Sequence, residues 1–227
     1  MGKRNWVLIG CLMLLGLAVG CGQAETPQPT APAVPGWQKF EGRNVELWLP
    51  PTYQGGDLSG KNLEMVVEGI RTLGPDFEEV AQVIERNPSA FLIFAVDSEV
   101  GESGSLTNMN VVAERVPSAV TMNTYLDLVA KKLPRQYRVI EREIVQLDHH
   151  QAGRLVLEIE VRDMHVKNLM YAIKSDNTVW AVNYGTGVEE FEQRLPVFEQ
   201  SARTFNVRPQ PLWKKVVGIL WAKFVRR

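Results

Sequence analysis

The chain has 227 residues, 45% of them hydrophobic and 22% charged, with a formal net charge of -1. That balance excludes a disordered chain, which lacks the apolar content to drive collapse. Near-neutrality argues against a nucleic-acid footprint, and the length suits one well-buried core rather than two once both ends are set aside.

The N-terminus is laid out as an export signal. Lys3 and Arg4 supply positive charge, and Trp6 to Val19 is an apolar run ending in the small Gly20, directly before Cys21. The run is shorter than the ~20 residues a spanning helix needs. Leu17-Ala18-Val19-Gly20-Cys21 resembles a bacterial lipobox, with Ala18 in place of the usual Leu three positions before the Cys. The resemblance implies cleavage before Cys21 and a diacylglyceryl group on its thiol, palmitate among the acyl chains. Leu8-Ile9-Gly10-Cys11 fits the same pattern but leaves too short an apolar region ahead of it, so Cys11 reads as part of the signal. The alternative is an uncleaved N-terminal anchor. Both cysteines of the chain lie within this segment, which leaves the remainder without a disulfide, a thiol nucleophile or a cysteine metal site. The expected organisation is a signal over residues 1–20, a tether over 21–35, a folded domain over 36–208 and a C-terminal helix over 209–227. Pro27, Pro29, Pro32 and Pro35 make the tether a semi-rigid spacer, able to hold the domain roughly 40 Å from a lipid surface at ~3.1 Å per residue.

Within the domain, Val45, Leu47 and Leu49 alternate with polar or amphipathic neighbours and predict a strand, stopped by Pro50-Pro51. Gly55-Gly56 predicts a loop. Leu63, Val66, Val67, Ile70 and Leu73 recur at helical spacing, and Gly74-Pro75 breaks that helix. A second helix follows, with Phe77, Val80, Ala81 and Ile84 as its buried stripe and Pro88 at its end. The continuous apolar run Ala90 to Val96 predicts a strand covered on both faces. Residues 97–106 read as a polar loop. Met109, Val111 and Ala113 alternate with Asn108, Asn110 and Glu114 as a further strand. Met122, Tyr125, Val129 and Leu133 predict a helix, capped by Thr121 or Asn123 and followed by Pro134. Tyr137 to Leu147 is a long strand of mixed character, with residues 148–153 as its turn. Leu155, Leu157, Ile159 and Val161 form one strand face, Leu169, Tyr171 and Ile173 the next, and Trp180, Val182 and Tyr184 the last. Val188, Phe191, Leu195, Phe198 and Ala202 stripe a closing helix, in which Pro196 predicts a kink or a split. Short turns between strands imply antiparallel pairing, and the absence of regular βα alternation gives an α+β class, helices covering a curved antiparallel sheet.

This order of elements is similar to that of PsbP-like domains. The resemblance is carried by Trp37-Gln38-Lys39-Phe40 leading to Val45-Glu46-Leu47-Trp48-Leu49-Pro50, by Thr107-Asn108-Met109-Asn110-Val111-Val112, and by the meander and helix ending at Ser201-Ala202-Arg203-Thr204-Phe205. It covers residues 36–208 and implies an α/β/α sandwich. The family includes photosynthetic extrinsic subunits and lipoproteins of the DcrB and LpqN kinds, so the resemblance implies a binding or assembly module. No ligand residue of the family transfers to a matching position.

No motif reaches the level of an active site. His149-His150 is the most suggestive pair for a metal, with His165 elsewhere, but adjacent strand residues face opposite ways and a zinc site needs at least three protein ligands. Asp97, Glu99 and Glu102 lack the spacing of a calcium loop. Glu158 and Glu160 read as solvated strand residues, and Gly185-Thr186-Gly187 as a strand-to-helix turn. The sequence predicts no catalytic residue, no metal and no cofactor.

Beyond Pro209 and Pro211, the segment carrying Trp213, Lys214, Lys215, Leu220, Trp221, Lys223 and Phe224 predicts a basic amphipathic helix. Such a helix reads as a membrane-contact element, the alternative being docking onto the domain itself. The expected protein is a non-catalytic lipoprotein facing outward from a cell membrane or outer envelope. It is held there by lipid through Cys21, with an envelope protein as partner and no nucleic acid. The competing class is an envelope enzyme or small-ligand carrier with a pocket between sheet and helices, which a tight cluster of buried ionisable groups in one cleft would favour.

Overall fold

The computed structural model describes residues 34–208 apart from 73, 100, 102–104, 149 and 162–163. Cys21 and the C-terminal segment from Trp213 to Phe224 therefore lie outside the described residues, as do Leu73, Glu102 and His149.

Two sheets form. The smaller has the order β1-β2-β10, built from β1 (Gln38–Glu41), β2 (Val45–Leu49) and β10 (Asn206–Val207). In β2 the predicted alternation holds, with Val45, Leu47 and Leu49 fully buried. The larger sheet has the order β3-β4-β5-β9-β8-β7-β6, every pair antiparallel. Its strands are β3 (Tyr53–Gly56), β4 (Ile93–Asp97), β5 (Asn108–Arg115), β6 (Tyr137–Leu147), β7 (His150–Val161), β8 (Met164–Ser175) and β9 (Thr178–Gly187). The helices are α1 (Lys61–Thr72), α2 (Glu78–Arg86), α3 (Met122–Lys132) and α4 (Phe191–Arg203).

Each face of the large sheet buries its own core. On one, Ile93 and Ala95 of β4, Met109 and Val111 of β5, Leu169 and Tyr171 of β8 and Val182 and Tyr184 of β9 pack under the small sheet and α4. On the other, Val66, Val67 and Ile70 of α1 and Ala81 and Ile84 of α2 close over Phe94 of β4. Further along that same face, Met122, Tyr125 and Leu126 of α3 close over Leu155 and Leu157 of β7 and Met170 and Ala172 of β8. Helices thus lie on both faces of an antiparallel sheet, the predicted α+β sandwich.

Several local expectations change. Gly55-Gly56 is not a loop but the end of edge strand β3, paired with Ala95 and Phe94. Both adopt φ near +135°, open only to glycine, and a Cβ at Gly55 would lie 2.2 Å from the Phe94 carbonyl oxygen. The turn predicted over 148–153 is shorter than expected, with Leu147 already opposite His150 and Ile144 opposite Gly153. Asp148 takes the left-handed conformation that so tight a turn requires. Gly153 lies under α3, where a Cβ would meet the Leu126 side chain at 2.7 Å. Val80 is 38% exposed and Ala113 is exposed too, so neither joins the core that its stripe predicts. Asp97 ends β4 in a buried position instead of opening a solvated loop. Thr121, of the two possible caps, accepts from the Thr124 backbone N–H at 3.2 Å. Pro196 does not split α4, which runs through to Arg203. The proline and Glu192, whose carbonyl loses the intrahelical donor it would have at residue 196, are both exposed.

Candidate binding surface

The buried ionisable groups among the described residues form two clusters, each built on an arginine held by several carboxylates. In the first, Asp97 accepts from an Arg194 guanidinium nitrogen, and Arg194 also donates to the Glu99 carbonyl at 3.2 Å. Arg194 lies 3.8 Å from Glu190, whose carboxylate accepts from Thr186 at 3.4 Å, and Thr186 meets Thr107 at 2.8 Å. The Tyr53 hydroxyl is buried with no hydrogen-bond partner among the described residues. Burial, and then the charge of Asp97, push its pKa well above the ordinary tyrosine value. In the second cluster, Arg154 of β7 is 7% exposed and donates to Glu141 at 2.6 Å and Glu143 at 3.0 Å on β6, and to Glu199 on α4 at 3.4 Å. Charges satisfied in this way tie elements together.

The two described histidines do not assemble. His150 is exposed and opposite Leu147, and His165 is exposed and opposite Glu160. Among the described residues no group of three His, Cys, Asp or Glu side chains comes together to hold a metal. Glu158 is ion-paired to Arg138 at 2.5 Å, as suits a surface residue.

Two other features face outward on the side of α1, α2 and α3. One is a groove of about 240 Å³ between α3 and the end of β5, lined by Val116, Pro117, Val120, Tyr125, Leu128 and Val129 among others. The Tyr125 hydroxyl donates to Glu114 there at 3.3 Å, and its pKa is pushed up to about 12 by burial and then by that carboxylate.

The second is a patch of amides on the sheet itself. Register places Asn110 beside Asn183, and Asn108 beside Gly185, which in turn sits beside Asn168. Alternation along β5, β9 and β8 turns all four asparagines away from the face where Met109, Val111, Tyr184 and Leu169 are buried. They therefore stand between the ground covered by α1 and α2, at Phe94, and that covered by α3, at Leu157 and Met170. All four are half-buried. Asn183 donates to Asn110 at 2.9 Å and Asn108 donates to the Leu106 carbonyl at 3.3 Å. Asn168 makes no side-chain hydrogen bond among the described residues, and its amide nitrogen lies over the buried Gly185. This patch escaped the sequence reading. Asn108 and Asn110 are visible as alternating polar residues, but Asn168 and Asn183 join them only through a register that spans residues far apart in the chain.

The sequence-predicted site residues, Cys21, Trp213, Lys214, Lys215, Leu220, Trp221, Lys223 and Phe224, lie outside the described residues. Among those described, no helix is long and apolar enough to cross a membrane.

No family model matches the chain, and no curated protein matches it in sequence. Solved structures do. The cyanobacterial PsbP protein CyanoP of Synechocystis sp. PCC 6803 superposes with a TM-score of 0.50 at 15% identity, over 80% of this chain and 99% of its own. LpqN of Mycobacterium tuberculosis, described as involved in cell envelope biogenesis, aligns with a TM-score of 0.49 at 10% identity, over 76% of this chain and 92% of its own. At such identities the likeness speaks to architecture, and with the antiparallel sheet clad by helices on both faces it gives this chain the PsbP-like fold.

Proposed function

We propose that this protein is a non-catalytic lipoprotein of the cell envelope, acting as a binding or assembly module. Acylation of Cys21 holds it, the Pro-rich tether carries the domain clear of the lipid, and the domain presents a surface for a partner. The observation that carries the non-catalytic part is the state of the buried charges. Asp97, Glu190, Arg194 and Arg154 are occupied with one another or with neighbouring carboxylates, whereas the half-buried groups facing outward between the helical layers are neutral amides. Amides recognise by hydrogen bonding and have no proton to give or take near neutral pH. The anchoring part is supported by the charged start, apolar run and Gly20-Cys21 junction of the sequence.

Metabolic labelling with a fatty acid tests the anchor. Wild-type chain is expected to incorporate label and fractionate with membranes, Cys21→Ser to lose both, and Cys11→Ser to keep both. Labelling that survives Cys21→Ser, or disappears in Cys11→Ser, would overturn the assignment.

A further inference from the structure

Four strands meet at the end of the large sheet where β4 and β9 begin and β5 and β8 finish: Ile93 pairs with Val111, Arg115 with Thr178, and Thr178 with Ser175. The small sheet sends its β1–β2 turn to the same end, where Gly42 packs so closely on Leu92 that a Cβ would lie 2.4 Å from the Leu92 carbonyl oxygen. Four cations from separate elements gather here. They are Arg43 in that turn, Arg86 where α2 finishes ahead of β4, Arg115 at the last position of β5 and Lys174 near the end of β8. The three arginines are exposed, and none of the four has an acidic partner among the described residues. Arg86 donates only to Gln82 at 3.1 Å and Lys174 to the Ser118 carbonyl at 2.8 Å. Most acids at this end are engaged. Glu41 and Glu46 hold Lys39 and Arg208, Glu85 holds Arg71, and Glu114 takes the Tyr125 hydroxyl. Asp176 in the β8–β9 turn and Asp57 after β3 remain, and Lys61 follows the latter. The balance at this end is positive.

The kind of partner follows from where the chain leaves the domain. Arg208 is the last residue described there. Its backbone N–H donates to the Asn44 carbonyl at 2.8 Å and its guanidinium to the Gly42 carbonyl at 2.6 Å, both in the turn that carries Arg43. Trp213 follows five residues later, at most ~18 Å along an extended chain. It opens the segment that carries Lys214, Lys215, Lys223, Arg226 and Arg227. When that segment meets an anionic leaflet, it brings the basic end of the domain to the headgroups.

An exposed cation within about a Debye length of such a leaflet, ~8–10 Å, favours binding about fivefold. The entry of the chain permits this approach. β1 is so short that Gln38 lies roughly 10 Å from Glu41, well inside the roughly 40 Å reach of the tether. At the opposite end of the sheet, Glu99 beyond β4 and Glu189 and Glu192 beyond β9 are exposed instead. The exposed cations of that end, Lys131, Lys132 and Arg135, lie where α3 finishes and β6 begins, away from the chain exit. We propose that the end of the domain carrying Arg43, Arg86, Arg115 and Lys174 docks on an anionic lipid surface, with the Glu99 and Glu189 end turned away from the bilayer. The inference rests on the lipid-anchored reading and adds which part of the domain meets the lipid.

The test uses the full chain purified from membranes and reconstituted in vesicles of phosphatidylcholine, with or without phosphatidylglycerol. Ser118→Cys and Gln193→Cys, both exposed, place a thiol dye at the basic end and at the opposite end, and a headgroup-linked quencher reads how near each lies to the lipid. In anionic vesicles the dye at 118 is expected to be quenched and the dye at 193 not. High salt or purely neutral lipid should remove the difference. Arg43→Glu combined with Arg115→Glu should lose most of the quenching at 118, whereas Lys131→Glu combined with Lys132→Glu should keep it. A matching thermal melt shows that each variant is folded. Equal quenching at both ends overturns the proposal. So does quenching at 118 that is indifferent to the Arg43 and Arg115 changes, which would leave orientation to the tail alone. A dye at 118 that ignores anionic vesicles but responds to soluble polyglutamate would reassign the face to an acidic protein and equally overturn it. Fatty-acid labelling separates the two levels: intact labelling with equal quenching removes only the docking face, whereas lost labelling removes the anchor on which it rests.

Discussion

Ser201 of α4 shows how much one hydroxyl can carry. It accepts from the buried Tyr184 hydroxyl at 3.0 Å and donates to the Trp48 carbonyl at 2.8 Å, joining the large sheet, the closing helix and the small sheet. Ser201→Ala strands the tyrosine donor in the core, and urea unfolding is expected to show a loss of about 1–3 kcal/mol. A larger loss follows at Asp97, whose side chain is 2% exposed against 20% for its partner Arg194. Asp97→Ala should cost about 3–5 kcal/mol, because it leaves a cation without its main counter-charge. By contrast Arg138, 71% exposed where it meets Glu158, should cost less than about 1 kcal/mol when changed to Ala. If the two substitutions cost the same, the burial argument is wrong. Burial, first, raises the pKa of Tyr184 above its ordinary value of 10.0. The folded state then binds the phenolic proton more tightly than the unfolded chain does. That stability is fully present below pH 10 and is lost as pH rises through the folded value. Melting temperature should therefore hold up to about pH 10 and fall above it, with a shallower fall in Tyr184→Phe.

At the scale of elements, the question is what fixes α3 on the sheet. Leu126 is fully buried over the Gly153 position, and Arg142 of β6 holds Asp127 at 2.8 Å and the Asn123 carbonyl at 3.1 Å. Beneath the same helix, Leu157 of β7 is 5% exposed, and Leu157→Ala should destabilise by about 2–5 kcal/mol in chemical unfolding. A loss below about 0.5 kcal/mol would mean that this face of β7 is not covered. The edge of the sheet beside it is protected in another way. Between Val139 and Glu141 the pairing of β6 with β7 shifts, leaving Ile140 at a bulge with 40% exposure. The bulge and the charged residues Arg138, Glu141, Arg142 and Glu143 along β6 hinder edge-to-edge pairing with another chain.

At the scale of the whole molecule, the two ends of the sequence suggest two membrane contacts. An acylated Cys21 would hold firmly, so a basic amphipathic tail would orient the domain rather than retain it. A non-lipidated chain beginning after residue 21 is expected to bind anionic vesicles in a salt-sensitive way, ignore neutral ones, and lose binding when residues 212–227 are removed. Equal weak binding with and without the tail would favour docking of that segment onto the domain instead.

The sequence by itself determined the elements that alternate strongly. Val45, Leu47 and Leu49, or Leu169, Tyr171 and Ile173, bury one side of a strand, and a period of two is legible without knowing the neighbours. The α+β class and the antiparallel pairing followed from those periods and from short turns. Tertiary structure decided what depends on a partner distant in the chain. Gly55 is a strand residue because it must pass close to the Phe94 carbonyl, and Asp97 is buried because Arg194 reaches it from α4. Neither partner can be inferred from local pattern. The amide patch is the clearest instance: Asn108, Asn110, Asn168 and Asn183 are ordinary polar residues in one dimension, and only the order β5-β9-β8 makes them neighbours. Periodicity tells which way a side chain faces, whereas register between strands, set by the summed packing of both faces, decides what it faces together with.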